Sequence, residues 1–470
     1  MIKVTAFTLA MLLCVVFAGY ALTNLVVTEY EPATDVTIGS SAPPTIQQEP
    51  TEESTFPSET QPTDEETVPA ETEPEPEYLI GDVYIQTSTP LSSGYSEAQV
   101  RVEYPGGDIA LQTVKIKHRG NSSLSAAKKS YNIKFSEKVS LFGMEEGKKW
   151  CFLADPFDKS LLRPTIGFEY AQALGIQYTS QTRLCRLWLD GTYMGVYTVV
   201  EPVDAGKNLV DIDEEKGDFL IERNFNTERT EEDVTYITTV YGMRFELNVP
   251  ETPTAEQLEQ ITGTVTKIER AVRTLDHTQY EGYIDVASFV DFYIFHEVIK
   301  DVDFGHYSTR YYFKDGVLYA GPPWDLDLTM GNLTATHWEQ LYKLYNNAGG
   351  YGDGSGDSAQ GFWCDSKDFY RWLCQDEYFM GLVRQRWKDV KTVTDHLVKD
   401  NQLGQNRIDW YLTHVGQVLE SNYSEAGWSV SKPDSAYEYH TPAQDYRGNV
   451  ELLRQWLIRR IAWLDGKWAD

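Results

Sequence analysis

The segment Ala320-Gly-Pro-Pro-Trp-Asp-Leu-Asp-Leu-Thr-Met-Gly331 carries two carboxylates, Asp325 and Asp327, within an otherwise apolar stretch. Two more, Asp301 and Asp303, lie a short distance upstream. Because unpaired buried carboxylates are costly, four of them in an apolar, aromatic-rich region imply a compensating cation or basic side chain. Carboxylate oxygens with few histidines nearby favour Mg²⁺, Mn²⁺ or Ca²⁺ over zinc. The segment therefore predicts a site for a hard cation.

The order of residues in this segment also predicts the direction of its side chains. Asp325 and Asp327 alternate with Leu326 and Leu328, as on an extended stretch whose alternate side chains share a side. We therefore expect both carboxylates to point the same way. This arrangement argues against a glycoside hydrolase, because the two carboxyl groups of such an enzyme flank a sugar from opposite sides.

The rest of the chain predicts an α+β fold. Strand patterns separated by turn residues occur at 83–87, 99–104, 113–118, 130–135, 183–189 and 195–201. Helical patterns occur at 160–174, 254–275, 286–300, 366–393 and 450–463. Asp190-Gly191 predicts one hairpin, and Asp315-Gly316 predicts another between strands at 309–314 and 317–320. We expect a sheet-rich N-terminal lobe and a helix-rich C-terminal lobe, divided near 201–225 by a cleft.

The N-terminal residues differ in composition from the rest. Residues 1–22 combine Lys3 with an apolar run, as in a secretory signal, although a retained membrane anchor through residues 4–22 fits the same pattern. Residues 23–77 are rich in Thr, Pro and Glu and contain no Lys or Arg, which predicts a disordered acidic linker. We therefore expect an extracellular or cell-surface protein.

Charge and cysteine content exclude several classes of protein. The net charge is −30, and nearly half of it comes from the linker, so a nucleic-acid partner is not expected. Residues 78–470 are long enough for one large domain. Cys151, Cys185, Cys364 and Cys374 form neither a zinc pattern nor a disulfide framework, and a bridge between the last two stays open.

A basic segment in the first half complements the carboxylates. Around Arg119-Gly-Asn-Ser-Ser123, a turn with exposed N–H groups and small hydroxyls, the cations are Lys115, Lys117, His118, Lys128, Lys129 and Lys134. Such a turn is suited to hold an anion, although an ordinary hairpin with a solvated basic face fits the same residues. Facing a carboxylate-rich segment, it predicts phosphate on one wall and metal on the other, as in phosphoryl transfer.

Five motifs occur in order along the domain. They are Arg119-Gly-Asn-Ser-Ser123, Lys128-Lys-Ser-Tyr-Asn-Ile-Lys-Phe135, Asp158-Lys-Ser-Leu-Leu-Arg163, residues 187–201 and Gly321-Pro-Pro-Trp-Asp-Leu-Asp327. In this order they resemble the motifs of the CotH family (spore coat protein H), which are secreted or spore-coat atypical protein kinases. The resemblance covers about residues 78–470 and implies a divergent protein-kinase-like fold. It also implies binding of ATP with Mg²⁺ or Mn²⁺, and phosphorylation of Ser or Thr in an extracytoplasmic protein.

The resemblance also implies roles for individual residues. Asp303 matches the family's catalytic aspartate, and Asp325 the metal-binding aspartate, with Asp327 as a second metal candidate. The residues implied to bind the nucleotide are Arg119, Asn121, Ser122, Lys134 and Glu201. A non-catalytic surface scaffold or adhesin that keeps the same fold is the alternative function.

The chain departs from the family pattern at three positions. Asp301 stands where many members have an asparagine, and Ser308 replaces another frequent asparagine. Pro164 follows Arg163 where an asparagine is usual. If the second asparagine normally helps to hold metal, Ser308 would do so more weakly.

Overall fold

The computed structural model describes residues 80–206, 209–224, 234–332, 358–432 and 442–469, apart from the side chain of Ser122. The expected signal or anchor at 1–22 and the expected linker at 23–77 lie outside these residues. No helix within the described ranges is long and apolar enough to cross a membrane.

The first half of the domain forms a closed barrel of seven strands in the order β1-β2-β3-β4-β5-β7-β6. The strands are β1 (Gly81–Thr87), β2 (Ser96–Glu103), β3 (Ile109–Arg119), β4 (Ser130–Val139), β5 (Gly147–Leu153), β6 (Thr182–Leu189) and β7 (Thr192–Val200). Neighbouring strands are antiparallel, except that β1 and β6 pair in parallel and close the barrel. The Asp190-Gly191 hairpin between β6 and β7 is confirmed.

The barrel interior follows from the alternation of side chains along each strand. On β4, Tyr131, Ile133 and Phe135 are buried inside the barrel, whereas Asn132 and Lys134 face outwards. Each interior residue therefore contributes apolar area to the core, and each outward residue is available to a neighbouring element or to solvent.

A second sheet of five strands has the order β12-β11-β8-β10-β9 and is antiparallel throughout. Its strands are β8 (Phe219–Arg223), β9 (Tyr236–Thr238), β10 (Arg244–Val249), β11 (Thr309–Lys314) and β12 (Val317–Ala320). The last two form the hairpin that the sequence predicts at Asp315-Gly316.

Eight α-helices lie within the described residues, most of them in the second half. They are α1 (Arg163–Ala173), α2 (Ala255–Val272), α3 (His277–Tyr280), α4 (Val286–Ile299), α5 (Tyr370–Leu373), α6 (Glu377–His396), α7 (Arg407–Ser424) and α8 (Tyr446–Trp468). Helix α4 is apolar on nearly all sides and lies at the centre of the main core. The Asp285 carboxylate accepts the Ser288 N–H at 2.7 Å and so caps its first turn. Lys300, in the left-handed region at φ +47°, ends it.

A buried ion pair joins α4 to α8. Arg460 and Glu297 are fully buried, with 2.6 Å between Nη2 and Oε2. Glu297 also accepts the N–H groups of Trp363 and Cys364, and Arg460 donates to the carbonyl of Gly361 at 2.7 Å. The pair therefore attaches the chain around 359–364 to both helices.

The structure agrees with the predicted α+β class and corrects its details. The first half is a closed barrel, because β1 and β6 pair across a long sequence separation, and the second half contains a sheet as well as helices. The helix predicted over 366–393 is two helices, since Asp376 caps α6 by accepting the Tyr378 N–H. The four described cysteines are free thiols, so Cys364 and Cys374 form no bridge.

Candidate active site

A cleft of about 770 Å³ lies where the outer face of the barrel meets the second sheet. Its lining comes from the β3–β4 turn, the chain after β5, strands β8 and β10, and residues 303–328. The charged and amide side chains among its lining residues are Lys117, His118, Arg119, Asn121, Asn132, Asp155, Glu222, Asn224, Glu246, Asn248, Asp303, Arg310, Asp325 and Asp327. A volume of this size accommodates a ligand as large as a nucleotide.

Hydrogen bonds bring the two acidic segments together in this cleft. After α4 ends, the N–H of Val302 donates to the carbonyl of Leu328 at 3.3 Å. The N–H of Met330 donates to the carbonyl of Ile299 at 2.6 Å. The chain around Asp303 therefore runs beside the chain that carries Asp325 and Asp327.

The backbone around Asp303 is held by its neighbours. The Asp301 carboxylate accepts the Asp303 N–H at 3.0 Å, and the Asp303 carbonyl accepts the N–H groups of His306 and Tyr307 at 2.9 Å. Burial raises the pKa of the Asp303 carboxyl well above its ordinary value, and the charges of Asp301 and Asp325 raise it further. Nearby positive charge would stabilise the ionised form.

Asp325 and Asp327 are the more accessible residues of their segment, whereas Leu326 and Leu328 are buried, which agrees with the predicted alternation. The backbone is not regularly extended, however, because Asp325 has φ +62°. Ser308, at φ +54°, donates its hydroxyl to Asp325 Oδ2 at 3.3 Å. Burial and then the charges of Asp325 and Asp155 raise the pKa of Asp327. Left-handed backbone at non-glycine residues is unfavourable and is often found at functional sites.

The turn between β3 and β4 forms the opposite wall of the cleft. The Arg119 guanidinium lies over the Trp324 ring at 5.3 Å, and its buried Nη1 has no hydrogen-bond partner. Gly120 has φ +112°, and a Cβ there would lie 1.9 Å from Ser123 Oγ, so the turn requires glycine. A buried guanidinium nitrogen without an acceptor suits an anionic ligand.

The CotH kinase protein family model matches residues 116–464, which include both walls of the cleft. The chain belongs to the CotH family. A comparison with curated proteins found no match.

Two of the expected nucleotide-binding residues of this CotH protein lie outside the cleft. Lys134 is exposed on the same face of β4 as Asn132 but lies two residues further from the β3–β4 turn. Glu201 lines a second cavity of about 260 Å³ together with Trp150 and Tyr178. Burial raises the pKa of Glu201 to about 7, and Glu145 contributes to the rise.

Asp155, which was not among the site residues predicted from the sequence, lines the cleft of this CotH protein. It is 6 % exposed, has φ +46° and accepts the Thr198 hydroxyl at 2.6 Å. Burial raises its pKa to about 7. The sequence feature that could have identified it is an aspartate directly after a buried strand, in Ala154-Asp-Pro156.

Strands β8 and β10 contribute a second group of cleft residues that was not predicted from the sequence. Glu222 and Glu246 lie opposite each other in register, and Arg310 pairs with Glu222 at 2.7 Å. Asn224 donates to Glu246 at 2.7 Å. The sequence feature that could have identified them is a glutamate within each of two short apolar strands, Phe219–Arg223 and Arg244–Val249.

The Asp158-to-Arg163 motif contacts the chain that follows the metal-candidate residues Asp325 and Asp327. Arg163 pairs with the buried Asp158 carboxylate at 2.6 Å and donates Nε–H to the Thr329 carbonyl at 3.1 Å. This contact fixes the start of α1 against the chain that follows Asp327. The motif therefore holds the metal-candidate segment in place.

The donor set of the cleft fits a metal bound together with a phosphate group. Within the described ranges, no three His, Cys, Asp or Glu side chains are grouped closely enough to hold a metal ion by themselves. Mg²⁺ usually binds one or two carboxylates and takes its other ligands from water and substrate phosphates. Asp325 and Asp327 supply such carboxylates, and Arg119 supplies the unpaired donor for phosphate.

Proposed function

We propose that this CotH protein is a metal-dependent kinase that transfers the γ-phosphate of ATP to Ser or Thr in a protein. The observation that carries the proposal is the convergence of Asp303, Asp325 and Asp327 with the Arg119 turn on one cleft. Phosphoryl transfer depends mainly on positioning and on neutralising charge, for which carboxylates opposite an arginine are suited. The expected export through residues 1–22 would place the reaction outside the cytoplasm.

In this proposal the Arg119 turn holds the phosphates. Arg119 donates to a phosphate oxygen, and the exposed Asn121 is available for a further hydrogen bond. Lys117, which lines the cleft on the same strand, contributes the second positive charge. Ser122 stays a candidate by resemblance, whereas Lys134 and Glu201, which lie outside the cleft, are given no part in nucleotide binding.

Asp325, with Asp327 beside it, would hold the metal, which on binding supplies positive charge to the transferring phosphoryl group. Ser308 orients the Asp325 carboxylate through its hydroxyl. Asp303 accepts the proton of the Ser or Thr hydroxyl, because its raised pKa suits a group that takes up a proton during the reaction.

Label transfer from ATP tests the proposal. The purified domain, incubated with labelled ATP, Mg²⁺ or Mn²⁺ and a casein-like protein, should phosphorylate Ser or Thr, and chelation should stop transfer. ATP with metal should also raise the melting temperature, since a ligand of the folded state stabilises it. Absence of both label transfer and the thermal shift would overturn the proposal. A non-catalytic scaffold predicts no label transfer, together with normal folding and surface binding that Asp303→Asn and Asp325→Asn leave unchanged.

The first prediction concerns metal binding. We expect Asp325→Asn to weaken the stabilisation by ATP with Mn²⁺ and to lower kcat/KM by about 10²-fold or more, because a neutral amide is a poor substitute for a carboxylate ligand. Thermal shift and label transfer over a range of Mn²⁺ concentrations measure both effects. Asp389→Asn, an exposed residue on α6, is the matched control and should behave as the native protein. Equal Mn²⁺ dependence in the two variants would exclude Asp325 as the main ligand.

The second prediction concerns Asp301, which stands where many family members have asparagine. Its buried carboxyl accepts the Asp303 N–H, and its other oxygen lies 3.0 Å from His296 Nδ1. Burial raises the pKa of Asp301 to about 8 and lowers that of His296 well below its usual value. A protonated Asp301 can therefore donate to the neutral imidazole, as an asparagine amide can.

We accordingly expect Asp301→Asn to keep most of the activity and Asp301→Ala to lose it. The unfolded carboxyl loses its proton near pH 4 and the folded one near pH 8, so the native protein is destabilised as pH rises between these values. Asp301→Asn has no such loss. Its free energy of unfolding, relative to that of the native protein, should therefore rise by at least about 1 kcal/mol from pH 4 to pH 8. Urea unfolding across this pH range measures the difference. If the difference in the free energy of unfolding between the two proteins stayed the same across this pH range, Asp301 would be ionised in the folded protein.

A further inference from the structure

Three lysines form a row across the outer face of the barrel, beside the cleft. One of them, Lys134, is the residue that the resemblance assigned to the nucleotide and that lies outside the cleft. Lys115 on β3 lies opposite Lys134 on β4, which lies opposite Lys149 on β5. All three are exposed. This row, here called the lysine rung, belongs to interior strands of the barrel, so it does not protect a sheet edge.

The lysine rung is electrostatically unfavourable by itself. Like charges directly opposite on neighbouring strands destabilise a sheet. At the two ends of the row, Glu97 lies opposite Lys115 and Asp204 pairs with Lys149. Among the described residues, Lys134 at the centre has no ion-pair partner. Three adjacent cations in a chain of net charge −30 therefore form a local surface for an anionic partner.

The lysine rung is continuous with the candidate active site. The next row on the same outer face contains Lys117 and Asn132, and both line the cleft. Neighbouring rows are about 7 Å apart along the strands, and the three lysine positions span about 10 Å across them. An extended peptide that leaves the cleft in this direction would reach the lysine rung within a few residues.

We propose that the lysine rung binds an acidic segment of the acceptor protein, close in sequence to the Ser or Thr that enters the cleft. The proposal rests on the proposed kinase function and adds the class of substrate. Its support is charge complementarity and the continuity of the lysine rung with the cleft. Exposed ion pairs of this kind act mainly on substrate association, so they affect KM more than kcat.

The test compares peptides and variants. One peptide carries the acceptor Ser within a run of Glu, and a matched peptide has Gln in place of Glu. We expect the native protein to favour the Glu peptide. The double variant Lys115→Glu with Lys149→Glu should raise the KM for that peptide about tenfold or more, leave kcat similar and abolish the preference. The control double variant, Lys267→Glu with Lys388→Glu, changes two exposed helical lysines and should keep it.

Two further measurements separate the explanations. Lys115→Glu alone should reduce the preference without changing the KM for ATP, and an altered KM for ATP would place the lysines in nucleotide binding and overturn the proposal. Fluorescence anisotropy of the labelled Glu peptide reports binding without catalysis, and it should weaken in the variant and with added salt. Binding to phosphatidylglycerol vesicles but not to the Glu peptide would assign the surface to a membrane and overturn the proposal.

The failure of this proposal is distinguishable from failure of the kinase function. Transfer to both peptides with equal KM would refute the docking role and leave the kinase function standing. Charge-dependent binding of the Glu peptide without label transfer to any peptide would refute the kinase function and leave the docking role standing.

Discussion

Asp303→Asn is expected to lower kcat for label transfer by about 10²- to 10⁴-fold, because an amide cannot accept the proton of the acceptor hydroxyl. The substitution keeps the size of the side chain, and the backbone hydrogen bonds around residue 303 do not involve its carboxylate. Nucleotide affinity should therefore change little. Initial rates with saturating ATP, together with ATP titration by thermal shift, measure the two quantities separately.

The pH dependence of the native protein supplies a second check on Asp303. Because its pKa is raised, activity should fall on the acidic side at a pH above the ordinary range of an aspartate. The fall follows from protonation of the base, so it should appear in kcat/KM and be absent from the residual rate of Asp303→Asn. A variant that retains native kcat would remove Asp303 from the chemistry.

Arg460→Ala is expected to lower the free energy of unfolding by about 3–5 kcal/mol, since it leaves the fully buried Glu297 carboxylate without its cation. The change also removes donors to the carbonyls of Ala359 and Gly361. Urea unfolding followed by tryptophan fluorescence measures the loss. Because α4 leads directly into the chain that carries Asp303, activity at a moderate urea concentration should fall together with folding.

Two comparisons make this prediction specific to the buried pair. Arg384→Ala removes a pair with Glu377 on the surface of α6, where both side chains are partly or largely exposed, and should cost less than about 1 kcal/mol. Adding Glu297→Gln to Arg460→Ala should recover part of the loss, because the uncompensated charge is then absent. A loss in Arg460→Ala no larger than that in Arg384→Ala would contradict this account.

Local sequence patterns predicted much of the fold. The β11–β12 hairpin, the β6–β7 hairpin and the helices α2 and α4 depend on residues close in sequence, and all were found. The strand β5, the short strands β8, β9 and β10 and the helices α3 and α7 were missed. Such short strands are stabilised by pairing with neighbours distant in sequence, so local patterns specify them weakly.

The amino-acid sequence alone identified the chemical groups of the candidate site. It contains the acidic segment around Asp325, the basic turn at Arg119 and the ordered CotH motifs, because residue type and spacing are local properties. Which of these groups come together depends on the pairing of distant strands in the folded protein. Strand pairing sets which face of the sheet and which row of residues each side chain occupies. The closed barrel and the register of β3, β4 and β5 therefore direct Arg119 to the cleft and leave Lys134 outside it.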